Sequence, residues 1–122
     1  MRRTGQRGSA TIWVIACSAL LMVVAGAATV RGLAVLARHR AESGADLAAL
    51  AAAASVGTGG RPCAAAARVA EGNGGRLRRC RVALDPSGRS GTAEVSVAVQ
   101  VRLPWLGRRA VLASARAARL PP

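Results

Sequence analysis

The sequence predicts an α+β chain in which one long N-terminal helix, transmembrane at first and amphipathic after, packs on a small antiparallel sheet. Three observations carry that prediction. No charged residue falls between Gly8 and Val30. A helical pattern rich in alanine and leucine then continues, without a proline or a turn cluster, as far as Val56. Further on, Val95, Val97, Val99, Val101 and Leu103 alternate with Glu94, Ser96, Ala98, Gln100 and Arg102, which is the period of a strand with one buried face. The organisation read from these is a basic leader (1–8), a transmembrane helix (9–30), its amphipathic extension (31–56) and a small extracytoplasmic α+β domain (57–122).

Composition limits what such a domain can be. A chain of 122 residues holds one anchor and one domain. All 18 basic residues are arginine, which reads first as the codon usage of a GC-rich genome. Trp13 and Trp105 are the only aromatic residues, so a core must be built from alanine, valine and leucine. Such side chains bury little area at about 25 cal/mol per Å², and the domain is expected to be marginal without its anchor or a partner.

The net charge of +13 raises the possibility of nucleic-acid binding. The arginines, however, are scattered from Arg2 to Arg119, the run Arg76, Arg78, Arg79 and Arg81 being the dense one, and no aromatic residue lies within that run to stack on bases. A solvated basic surface near anionic lipid headgroups accounts for the same count. An arginine-rich binder of nucleic acid or another anionic polymer is kept only as a third reading, one that requires a cytosolic domain with reduced cysteines.

The uncharged run is long enough to cross a bilayer, since about 1.5 Å per helical residue must span a hydrocarbon core of roughly 30 Å. Ile12, Trp13, Leu20, Leu21 and Val24 are its expected anchor residues, with Trp13 placed as an interfacial aromatic. Cys17 reads as packing, and Gly26 with its alanine neighbours as a small-residue face for another helix. The leader arginines favour a cytoplasmic N-terminus, but Arg31, Arg38 and Arg40 nearly balance them, so orientation rests on the cysteines. A cleavable signal is the alternative. Arg2 and Arg3, the apolar centre Ile12 to Val24 and Ala25-Gly26-Ala27 supply its three parts, with release between Ala27 and Ala28 giving a secreted small basic disulfide-bonded binding protein. A buried helix of a soluble core has too little chain around it.

From Arg31 the apolar positions Leu33, Val35, Leu36, Ala45, Leu47, Ala48, Leu50 and Ala51 carry the helix on to about Ala54, with Gly44 a candidate kink and Gly57-Thr58-Gly59-Gly60 the stop. Pro62 opens a second, short helix, where a missing amide costs nothing, and Gly72-Asn73-Gly74-Gly75 closes it. Leu77 to Leu84 and Ala93 to Leu103 read as strands joined as a hairpin through Asp85-Pro86-Ser87-Gly88 and Arg89-Ser90-Gly91. Pro104 ends the second strand. Ala110 to Ala118 reads as a third strand in preference to a short helix.

Chemistry-bearing residues are few. Cys63 and Cys80 are far enough apart for the chain to loop back and join them, and outside the cytoplasm they form a disulfide worth about 3 kcal/mol in the chain-entropy model. In a cytosolic domain they stay two unpaired buried thiols. No CxxC or HxxxH spacing exists and His39 is the only histidine, so neither a metal nor another cofactor is expected. Glu42, Asp46, Glu71, Asp85 and Glu94 are dispersed, and His39 with Ser43 one turn on reads as a solvated helix face. The glycine clusters lack phosphate-loop spacing. No enzymatic activity and no small-molecule substrate is expected.

The order of basic leader, Arg7-Gly8-Ser9-Ala10-Thr11, apolar helix and then Arg40-Ala41-Glu42-Ser43-Gly44-Ala45-Asp46-Leu47-Ala48-Ala49-Leu50-Ala51 resembles the TadE/TadG-like family of pilus-assembly pseudopilins. It is most similar to the short TadE-like proteins of high-GC Gram-positive bacteria found beside tight-adherence (Tad, Flp-type) secretion genes. The cysteine pair, the valine strand and Ala113-Ser114-Ala115-Arg116-Ala117 fit the same pattern. The resemblance implies a pilin-like fold and cutting by a prepilin peptidase after Gly8, which leaves Ser9 as the mature N-terminus. The family pattern carries a glutamate five residues into the mature chain, where this sequence has Trp13. That carboxylate pairs with a neighbouring subunit's terminal amine in pilin-like assemblies, so Trp13 points to an accessory component and not a repeated subunit. The function this implies is structural, a membrane-anchored minor pseudopilin-like component of a Tad/Flp-type pilus or secretion apparatus. Its partners would be membrane lipid and other pilin-like or Tad secretion proteins, and its place the cell membrane, with secretion or residence in a pilus as the alternatives.

Overall fold

The computed structural model describes residues 7–122; the leader arginines Arg2 and Arg3 lie outside the described residues. The first helix, α1, runs from Arg7 to Ser55, against an expected Ser9 to Ala54. The chain divides into one unit ending at Gly32 and a second from Leu33 to Pro122. In the first unit the described residues are all α1, which is uncharged after Arg7 as far as Val30. Thr29 satisfies its hydroxyl within the helix by donating to the carbonyl of Ala25 at 2.8 Å, as a polar side chain in an apolar stretch must.

In the second unit the rest of α1 is followed by α2 (Pro62–Gly72), β1 (Gly75–Leu84), β2 (Gly91–Leu103) and β3 (Gly107–Arg119). The three strands form one antiparallel sheet in the order β1-β2-β3. The third segment is a strand, as its short connection from β2 favours. Its alanines, poor strand formers alone, are held by pairing along the whole of β2, from Gly91 opposite Arg119 to Leu103 opposite Gly107. β1 pairs with β2 in a register that shifts between Leu77 and Arg79, so that Arg78 bulges and the arginines on both sides of it stay exposed.

The core lies between the second half of α1, α2 and one face of the sheet. Ala41, Ala45, Ala48, Ala49 and Ala52 of α1 meet Ala66 and Ala70 of α2, Ala93, Val95, Val97 and Val99 of β2, and Ala113 of β3. Its largest fully buried side chains are valines, Val56, Val95 and Val97. Among the described residues no leucine is fully buried, and the share of the core that composition gave to leucine is met by Leu77, which packs half-buried against it. The helix turns its alanines to the sheet and leaves Leu36, Leu47 and Leu50 outside. Small side chains let a helix lie close on a sheet, and the branched valines of β2 fill the shallow space that remains.

Gly44 belongs to the same buried stripe. The helix runs on through this candidate kink position, and a methyl group built on Gly44 would meet Asn73 and Val97 at 3.9 Å. The helix stops at Gly57, which takes a φ of +73° that an L side chain resists. α2 ends on Asn73, whose side-chain amide donates to the Val69 carbonyl at 2.8 Å and whose backbone N–H reaches Val69 and Ala70 at 3.2 Å.

Candidate membrane anchor and docking surfaces

The apolar half of α1 is the first candidate. Ile12, Trp13, Leu20, Leu21 and Val24 are between 57% and 70% exposed, as are their apolar neighbours Val14, Ile15 and Val23. An apolar surface of that extent, uniform around a helix, marks a site of contact with a membrane or with other protein. α1 is the one helix among the described residues long and apolar enough to cross a membrane. Gly26 has open space where a side chain would stand, which leaves room for another helix to approach. Gly8 and Ser9, the expected processing junction, are exposed in the first turns of α1, as are Ala27 and Ala28 further along. Cys17 is a free, exposed thiol.

Cys63 at the start of α2 and Cys80 in β1 are joined by a disulfide, with Cα atoms 5.8 Å apart. The pair clips α2 to the edge strand of the sheet. Beside it, Val56, Gly57, Pro62, Val82 and Leu84 border an open groove of about 680 Å³. The groove holds no nucleophile beyond surface hydroxyls, and its lining is mostly apolar.

His39 and Ser43 border a shallow hollow with Arg40 and Asn73. Glu42 is the residue that sequence spacing passed over. Its carboxylate accepts from Arg38 Nε at 2.9 Å and lies 3.8 Å from His39 Nδ1, a ladder that i, i+3 and i, i+4 positions on a helix could have suggested. Arg38 and His39 are largely in solvent and Glu42 is half-exposed, a setting in which such pairs contribute little. Among the described residues no cluster of metal-ligating side chains occurs.

The sheet face turned away from α1 is basic. The strand alternation sends Arg76, Arg79 and Arg81 of β1 and Arg116 of β3 to that face, around the single carboxylate of Glu94. Glu94 stands opposite Arg116 across the β2–β3 pair and accepts from its Nη2 at 3.2 Å. Next to them Ser96 and Ser114 share a hydrogen bond of 2.7 Å.

The β1–β2 turn is organised by Asp85. Its carboxylate accepts from the hydroxyls of Ser87, at 2.9 Å, and of Ser90, and from the Ser90 N–H at 3.2 Å. These donors, the Ser90 hydroxyl foremost, hold the carboxyl below its ordinary value of 3.8, against a smaller opposing effect of desolvation.

The described chain is thus of the α+β class, one long helix followed by a small disulfide-clipped sheet. Residues 8–55 match the family model "Putative Flp pilus-assembly TadE/G-like". That is the family which the leader junction and the Ala-Asp-Leu-Ala-Ala-Leu-Ala block resemble. The match ends at Ser55 together with α1, so the sheet lies beyond it. No curated protein and no solved structure matches the chain.

Proposed function

We propose that this protein is a single-pass, membrane-anchored structural or accessory component of a Tad/Flp-type pilus or secretion apparatus, in the manner of a minor pseudopilin. The observation that carries the reading is the coincidence of the TadE/G-like segment, residues 8–55, with one continuous helix whose large apolar side chains from Ile12 to Val24 are all exposed. Its mechanism is packing. Residues 9–30 sit in lipid and offer Gly26 and the neighbouring alanines to other transmembrane helices. The row Leu36, Leu47 and Leu50, left outside the core, extends that contact beyond the membrane. The domain from 57 onward stands outside the cytoplasm, where the Cys63–Cys80 bond persists, and presents its basic sheet face to partners. Trp13, in place of the family's glutamate, suits a component held in the membrane better than one added repeatedly to a filament.

The test is the intact mass and N-terminal residue of the membrane-extracted protein, before and after reduction. A chain that begins at Ser9 and gains two hydrogens on reduction supports a processed, externally oxidised component. One that begins at Ala28 and is found in the medium overturns the anchor in favour of a secreted binding protein. An uncut chain in the membrane keeps the anchor and removes prepilin processing from the reading.

A further inference from the structure

The turn between β2 and β3 has a composition that neither the core nor the basic sheet face explains. Leu103-Pro104-Trp105-Leu106 forms an apolar tip, framed by Arg102, Arg108 and Arg109, and no acidic residue follows Glu94 in the chain. Trp105 is 89% exposed, the most exposed of the large apolar side chains, and Leu106 is 52% exposed. Trp105 is also the one non-glycine residue with positive φ among the described residues, at +62°. A bulky side chain resists the left-handed region, and residues held there cluster at functional sites.

The place of the tip says what it is presented to. Trp105, Leu103, Pro104, Arg102 and Arg108 border a hollow of about 590 Å³ whose remaining wall includes Leu33 of α1. Leu33 follows Arg31, the first charge after the uncharged run, and at about 1.5 Å per residue it lies within ~5 Å along the helix of that run's end. The headgroup layer adds roughly 5–7 Å on each side of the hydrocarbon core, so a group beside Leu33 is at headgroup depth. Tryptophan favours that depth because its ring is apolar and its N–H is wet, and arginine forks match lipid phosphates.

We infer that the β2–β3 tip is a second membrane contact, in which Trp105 and Leu106 enter the lipid interface while Arg102, Arg108 and Arg109 bind anionic lipid phosphates. The inference rests on the single-pass anchor proposed above and adds to it an interfacial lipid contact made by the domain itself.

Two single-tryptophan forms of the full chain test it, Trp13→Phe to report Trp105 and Trp105→Phe to report Trp13. Each is reconstituted in phosphatidylcholine vesicles, with or without phosphatidylglycerol, containing lipids brominated at different depths. Trp105 is expected to be quenched most by shallow bromines, to resist aqueous acrylamide, and to be quenched more when phosphatidylglycerol is present. The triple variant Arg102→Gln, Arg108→Gln, Arg109→Gln on the Trp13→Phe background should lose that last gain. Trp105 open to acrylamide and untouched by bromines, while Trp13 is quenched, overturns the tip contact and leaves the anchor standing. Shielding without lipid quenching gives the tip to a protein partner and also overturns it. Equal quenching with and without phosphatidylglycerol overturns the role of the arginines. A Trp13 that no bromine reaches removes the anchor itself.

Discussion

Arg119, the last residue of β3, donates Nη1 to the backbone carbonyl of Val56 at 2.8 Å, just past the end of α1. The same nitrogen reaches the Ala54 carbonyl, also at 2.8 Å. α1 has no basic residue in its own last turn, so the cation that the carbonyl end of a helix favours comes from the far end of the chain. One guanidinium thus ties the C-terminal edge strand to the helix. Arg119→Ala should cost ~1–2 kcal/mol of stability, since hydrogen bonds to a charged group are worth more than neutral ones. Arg119→Lys should restore only part of it, because an ammonium lacks the planar fork. Thermal unfolding of the full chain in detergent, followed by circular dichroism, reads both, and an unchanged midpoint for the alanine variant would sink the idea.

That contact also shows where sequence reasoning stops. The long helix was legible because an uncharged run and a missing breaker are local facts, and so was β2, whose valines alternate by themselves. The Cys63–Cys80 pair followed from spacing and compartment. Which face of the α1 extension is buried did not follow, because hydrophobicity ranks leucine above alanine while close packing on a sheet selects the smaller residue. Leu47 and Leu50 look like core in the sequence and stand in solvent, free for another surface. Arg119 could not be assigned either, since its partners are remote in sequence and are backbone atoms.

The alanine stripe makes a paired prediction. Ala48 is fully buried against the sheet, while Leu50 is 58% exposed. Ala48→Leu must push the helix off the sheet and should destabilise by about 1–3 kcal/mol. Leu50→Ala should change stability by no more than ~0.5 kcal/mol. Under the proposed function it should weaken cross-linking of the protein to its neighbours in membranes. The reverse order of stabilities would mean that the leucine face, not the alanine face, meets the sheet.

Two glycines should respond oppositely to alanine. At Gly44 a methyl group meets only ordinary contacts, and removing a glycine from a helix interior gains about 0.5–1 kcal/mol, so Gly44→Ala should raise the midpoint. At Gly91 the added carbon would run into the backbone carbonyl of Ala83 across the β1–β2 pair. Gly91→Ala therefore has to displace a strand and should lower the midpoint. Paired thermal melts decide both, and a stabilising Gly91→Ala would contradict the register of that hairpin.

Reduction removes the clip between α2 and β1. The cysteines are 17 residues apart, and a closed loop of that size is worth about 3 kcal/mol in the chain-entropy model. In a core with no buried residue larger than valine, that is a large share of the total. The double variant Cys63→Ala, Cys80→Ala should unfold at markedly lower denaturant in the full chain, and reductant should leave it unchanged while shifting the parent protein. Equal sensitivity of the two to reductant would assign the effect to Cys17 instead.

Asp85 gives the domain a defined acid response. Its carboxyl is held below its ordinary value of 3.8 by hydroxyl and amide donors that bind the ionised form, the Ser90 hydroxyl first among them. A folded-state value below the unfolded one means that the unfolded chain takes up the proton more readily. The stabilisation is therefore complete at pH well above 3.8 and is lost as pH falls from there through the lower folded value. Acid unfolding of the parent protein should show this loss, and Asp85→Asn should lower stability near neutral pH while flattening the dependence below 3.8. Ser90→Ala removes the largest contributor without touching the carboxylate, and it should move the acid transition toward higher pH. An acid limb that both variants leave in place would show that Asp85 does not govern it.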